Sequence, residues 1–196
     1  MQKFQLFAQP WWVNLLLLIP LIAYLRWRHK ELLLTWSQIT FITSFAAAFG
    51  FVEAAVVVYL RAAIGLLPGY AGTLSDLQHA SEGYQQAMSI PQFPSGLLTI
   101  EMFREAGTIV MLASLALLAA SKARERWAVF LWAFAVWDIT YYMGLWATVR
   151  WPTSLKDLDV LFLIPLPWLA QVWFPVSVSV LTLLAIVVVM FKKKSA

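Results

Sequence analysis

The chain contains no cysteine, which removes disulfides, thiolate metal sites and cysteine nucleophiles and leaves the compartment open. Histidine is nearly as scarce: His29 and His79 are the only two. Neither lies in an apolar run, so haem, zinc and copper sites within a membrane are not expected. No glutamate is followed three residues later by histidine, which excludes the usual di-iron bundle pattern. A P-loop, a dinucleotide fingerprint and a Ser-His-Asp set are also missing. There is no internal repeat and no low-complexity segment. Charge is sparse, at 12% of residues.

What the chain has in abundance is apolar sequence. Of its 196 residues 62% are hydrophobic, and the mean hydropathy is +0.76. That composition belongs to polytopic membrane proteins rather than soluble domains. The net charge of +4 is carried by short basic clusters at the ends of apolar runs, without a basic groove of interleaved aromatics. Nucleic acid is therefore not an expected partner. The expected partners are membrane lipid, other membrane subunits or a second copy of the chain.

The expected fold is all-α: residues 1–196 form a single transmembrane domain, a bundle of five helices over about 10–25, 35–60, 97–120, 127–149 and 169–191. The first run is followed by Arg26, Arg28 and Lys30 and preceded only by Lys3, the reverse of a cleaved signal peptide, so it reads as a retained helix with its N-terminus outside. Trp11, Trp12, Trp27 and Trp36 fall where an aromatic belt would stand. In the second run Ala46, Gly50 and Ala54 repeat at four-residue spacing, allowing another helix to approach and turning Glu53 into that contact.

Residues 62–96 contain no Lys or Arg and read as an extracytoplasmic loop. Within it Ser75 is expected to cap a surface helix whose Leu77, Ala80, Tyr84 and Met88 share a face. From Val160 to Met190 the apolar sequence exceeds the ~20 residues that one crossing needs. Pro165, Pro167 and Pro175 divide it into a re-entrant or interfacial piece, Asp159 to Trp168, and a last helix. Nine of the 14 basic residues (26, 28, 30, 122, 124, 126 and 192–194) then lie inside. Lys3, Arg61, Arg150 and Lys156 are outside and Arg104 is within the membrane. The expected orientation is N-terminus out, C-terminus in, in the cell membrane.

The chain is organised around Glu101-Met102-Phe103-Arg104-Glu105. A charge at the centre of a transmembrane helix costs roughly 2.5 to 3.5 kcal/mol, so such residues face the bundle interior and mark function. On a helix Glu101, Arg104, Glu105 and Thr108 form one polar stripe. The topology adds Glu53, Asp138, Tyr141 and Tyr142 to the same outer half, with Arg61, Arg150, Asp157 and Asp159 just above and Trp137 as a possible pocket wall.

Four acids against one arginine within the membrane leave a surplus of negative charge, to be met by protons, a cation, Arg61 or Arg150. Glu53, Arg104, Glu105 and Asp138 are the candidate catalytic or binding residues. Glu53, Glu101, Glu105 and Asp138 form a candidate oxygen-ligand set for Ca²⁺, Mg²⁺ or Mn²⁺. Tyr141, Tyr142, Arg61, Arg150 and Asp159 are supporting residues.

Three function classes remain. One is an outer-facing site for a cation, a proton or a polar substrate. A second is an accessory subunit whose charges form only an ion-pair network. The third is a membrane enzyme using paired carboxylates on a lipid-linked or envelope substrate.

Overall fold

The computed structural model describes residues 4–30, 32–67, 69–79 and 94–191. Four helices in it are long and apolar enough to cross a membrane: α2 (Trp36–Ala63), α4 (Ser95–Ala119), α5 (Ala123–Val149) and α6 (Trp173–Phe191). The first apolar run is shorter, a 3-10 stretch Trp11–Leu17 continuing into α1 (Leu18–Trp27). Pro20 stands in the first turn of α1, where its missing N–H costs no helical bond.

The helix ends follow local chemistry. At the start of α2, Thr35 Oγ1 accepts from the Gln38 backbone N–H at 3.2 Å while the Gln38 side chain accepts from the Thr35 N–H at 2.9 Å, a reciprocal capping box. α5 ends at Arg150, which adopts a left-handed backbone with φ 56. The short loop helix α3 (Leu74–His79) is capped by Thr73 in place of the expected Ser75: Thr73 Oγ1 accepts from the Asp76 N–H at 3.2 Å. Ala80, Tyr84 and Met88 lie outside the described residues.

The closest helix packing joins α2 and α5, and the small residues explain it. A Cβ at Gly50 would fall 2.2 Å from Thr140 Oγ1 and 2.5 Å from the Trp137 carbonyl oxygen. One at Gly144 would fall 2.8 Å from the Ala54 Cβ. Ala46 and Ala54 are fully buried beside them, as the four-residue spacing of small residues leads one to expect. Trp27, expected at an interface, is buried in the core formed by Ile39, Ile42, Leu112, Val129 and Ile186, because α1 packs along α6.

The all-α expectation needs one correction. Strands β1 (Leu158–Phe162) and β2 (Trp168–Gln171) form an antiparallel hairpin, with Asp159 opposite Ala170 and Val160 opposite Leu169. The N-terminal segment extends it through Gln9, which exchanges backbone bonds of 2.8 and 2.7 Å with Leu169. Residues 169–171 therefore spend their backbone groups on a ladder rather than on a helix. The last helix starts at Trp173, after Val172 N–H has bonded Asp157 O at 3.0 Å and Trp173 N–H has bonded Leu155 O at 2.9 Å.

The hairpin extends along α5 toward the middle of the bundle. Asp159 meets Tyr142 and, three residues on, the Phe162 ring lies 6.2 Å from that of Phe134. Phe134 is fifteen residues before the end of α5, about 22 Å along its axis.

Candidate functional site

Five elements converge at the hairpin end of the bundle: the C-terminal parts of α2 and α5, the N-terminal parts of α4 and α6, and the hairpin itself. Helical spacing turns Glu101, Glu105 and Thr108 of α4 inward, and all three are buried. Glu53 and Arg61 of α2, Asp138 and Tyr142 of α5 and Asp159 of β1 are buried as well.

Arg104 joins two of these acids. Its Nε and Nη2 donate to Glu101 at 3.1 and 2.7 Å, and its Nη1 forms an ion pair with Glu53. Thr108 Oγ1 donates to the second Glu53 oxygen at 3.3 Å. α2 and α4 have little direct packing, so these charged contacts do much of the work of tying them together.

The other three acids take hydrogen bonds from neutral donors. Glu105 Oε2 accepts from the Leu163 N–H at 2.8 Å, and Asp138 Oδ2 accepts from the Ser179 hydroxyl at 2.8 Å. Asp159 accepts from the Tyr142 hydroxyl at 2.6 Å and from the Val160 N–H at 2.8 Å. Burial pushes the Asp159 carboxyl up to about 6, although the Tyr142 hydroxyl, the Val160 N–H and the Arg61 charge all oppose the rise.

All of these groups line one cavity of about 550 Å³. Its polar wall comprises Glu53, Arg61, Glu101, Arg104, Glu105, Asp138 and Asp159, with Tyr141, Tyr142, Thr108, Ser179 and Thr182. Most of the remaining lining is apolar and aromatic, Trp137 included. Five carboxyl groups thus face the cavity with two guanidinium groups.

Every expected site residue except Arg150 reaches this cavity. Arg150 lies with its guanidinium 4.7 Å from the centre of the Trp146 ring, because the left-handed turn at the end of α5 carries it away from the acids. Asp157 accepts from the Thr153 N–H at 2.7 Å and from the Ser154 N–H at 3.1 Å, closing a turn. His79 is exposed, its ring 2.7 Å from Ser75 O. Glu53, Glu101, Glu105 and Asp138 share a wall, yet among the described residues no three His, Asp or Glu side chains converge closely enough to hold one metal ion.

Sequence reasoning missed the partners contributed by α6 and the hairpin. Ser179 and Thr182, three apart in a run whose only other hydroxyl is Ser177, carried a readable signal, since two hydroxyls on one face of a membrane helix seek a polar neighbour. The Leu163 N–H carried none, as its direction depends on a hairpin that the apolar pattern did not distinguish from helix.

No protein-family model matches this chain, and neither the curated proteins nor the solved structures contain a significant match to it.

Proposed function

We propose that this is a multi-pass protein of the cell membrane whose cavity, near the extracytoplasmic face, binds a positively charged, hydrogen-bond-donating group. The carrying observation is the division of labour among the acids: Arg104 engages Glu53 and Glu101, while among the described residues Glu105, Asp138 and Asp159 accept hydrogen bonds from neutral donors, with the Arg61 charge acting on Asp159. A cationic ligand entering beside those three would meet acceptors with lone pairs to spare, in surroundings where charge-assisted hydrogen bonds are strong. An organic cation suits the cavity better than a bare metal ion. Its volume of about 550 Å³ is that of a small-molecule pocket, and its acids are spread along a wall.

In the topology that goes with this reading the chain crosses five times, with the N-terminus out and the C-terminus in. The first crossing is supported by its geometry. Seven residues of 3-10 helix rise about 14 Å and ten of α-helix about 15 Å, which together approach the ~30 Å hydrocarbon thickness.

Binding of hexylamine, hexanol and hexanoate to the detergent-solubilised protein tests the reading. Hexylamine should bind several-fold more tightly than the other two, and a Glu105→Gln/Asp138→Asn variant that keeps its thermal stability should lose that preference. Equal binding of all three by the unaltered protein would overturn it. A second reading, a subunit of a larger membrane complex with a purely structural charge network, is favoured by the Glu53–Arg104–Glu101 group alone. It predicts co-purification with a partner and no preference for the amine.

A further inference from the structure

The cavity is longer than a cationic head group requires. Along α5 its lining extends from Tyr142 to Phe130, twelve residues or about 18 Å of helix. All the carboxyl and guanidinium groups lie in the part toward the hairpin end. The part toward Phe130 is walled by Ile19, Ile109, Phe130, Leu131 and Phe134. These five are only half-buried, although they sit on helices inside a bundle. The space they leave is a sleeve of mainly apolar side chains, the Thr182 hydroxyl beyond Ser179 being committed to Val178 O at 2.7 Å, and water is held in a protein interior only where it finds two or more polar partners.

The sleeve also opens in a direction that fits an occupant from the bilayer. α1 and α4 both line it, but α1 packs mainly on α6 and α4 on α5. At the hairpin tip Ile164 both lines the cavity and is exposed. Charge at one end, an apolar sleeve at the other and a side opening are complementary to one chemical class.

We propose that the cavity holds a membrane amphiphile, with an amine-bearing head against Glu105, Asp138 and Asp159 and a single hydrocarbon chain lying between α1, α4 and α5 toward Phe130. The inference rests on the cation-binding reading above and adds the chain to it. Head and chain contribute separately. The carboxyl groups select the head, and burial of the chain's methylenes stabilises the complex further. Because lipid already solvates the chain, the sleeve selects by shape, favouring one chain over a two-chain lipid.

The test uses hexadecylamine carrying a diazirine near the end of its chain, photolysed with the full-length protein in detergent and then mapped by mass spectrometry. Label is expected on Ile109 and on the Phe130–Phe134 segment. It should be removed by excess unlabelled hexadecylamine and reduced several-fold in Ile109→Trp and Leu131→Trp, whose side chains would fill the sleeve. Label confined to the outward α4 residues Phe103, Val110 and Leu118 would overturn the proposal, as would label at Phe134 that unlabelled hexadecylamine does not displace. The competition arm needs no variant, so a tryptophan variant that fails to fold does not blunt the test. The two readings fail separately: hexylamine preference without sleeve labelling sinks only the chain, whereas sleeve labelling without amine preference sinks the cationic head.

Discussion

Arg104 and Asp159 show how single side chains set the character of the site. The Arg104 guanidinium links acids on α2 and α4, and removing one partner of a buried pair leaves the other charge without compensation, at a cost of roughly 3 to 5 kcal/mol. Arg104→Gln should therefore lower the unfolding temperature in detergent more than Glu101→Gln does. The Glu53→Gln/Arg104→Gln double variant should recover part of the loss, since residues that share an interaction are not additive; full additivity in a thermal-melt cycle would show the pair to be uncoupled. Asp159 behaves oppositely with pH. Its carboxyl is raised to about 6 from the ordinary 3.8, so between those values the folded state holds a proton that the unfolded chain has released. Acidification through pH 6 toward 4 therefore stabilises the fold, and the contribution is lost as pH rises through 6. Asp159→Asn should melt at a temperature that depends less on pH across this window than the unaltered protein, and an unchanged slope would refute the assignment.

At the scale of elements, the α2–α5 contact and the hairpin differ in how far the sequence reveals them. Ala46, Gly50 and Ala54 announce a close helix partner by their spacing, and the polar stripe Glu101-Arg104-Glu105-Thr108 announces an inward face; both follow from the period of a helix. The match is tight enough that Gly50→Ala should destabilise by about 1 to 3 kcal/mol, because its Cβ would meet the Trp137 backbone oxygen, which cannot rotate away. Chemical denaturation of the variant checks this. The hairpin was legible only as a division at Pro165 and Pro167, since a short apolar run does not declare whether it is helix or strand. Its partners Gln9, which bonds Leu169, and Glu105, which takes the Leu163 N–H from 58 residues away, are distant in sequence.

The composition of the hairpin makes sense once it is placed beside Phe134. Were the segment re-entrant, unpaired backbone donors would be costly; Pro165 and Pro167 have none to leave unpaired, and the Leu163 N–H is taken by Glu105. Exposed Ile164 and Leu166 then suit contact with lipid. A nitroxide attached at Leu166→Cys in a reconstituted protein should be quenched by oxygen rather than by a water-soluble nickel complex; stronger nickel quenching would put the tip in water and make the segment interfacial.

Across the whole molecule the cavity acids and the basic clusters lie at opposite ends of the bundle, and this gives the expected orientation its physical basis. The acids of the cavity gather where α2 and α5 finish. The basic clusters gather at the other end, where the two short linkers come together: Gln38 Nε2 donates to Ala119 O at 3.2 Å, and Glu125 reaches the Leu33 N–H at 3.5 Å. α6 ends there too, with the Phe191 ring 5.4 Å from Trp36, just before Lys192, Lys193 and Lys194 in the sequence. Positive clusters next to membrane helices are retained on the cytoplasmic side, so this end should be inside and the cavity should face out. Reporter fusions decide the matter. Alkaline phosphatase, active only outside, should be inactive when joined after Arg126 or Lys194 and active when joined after Gly69 or Lys156. The N-terminus discriminates most, because with these four results unchanged it lies outside only if the 17-residue first segment crosses completely; an N-terminal epitope tag shielded from protease in intact cells would leave four crossings and place both ends of that segment inside.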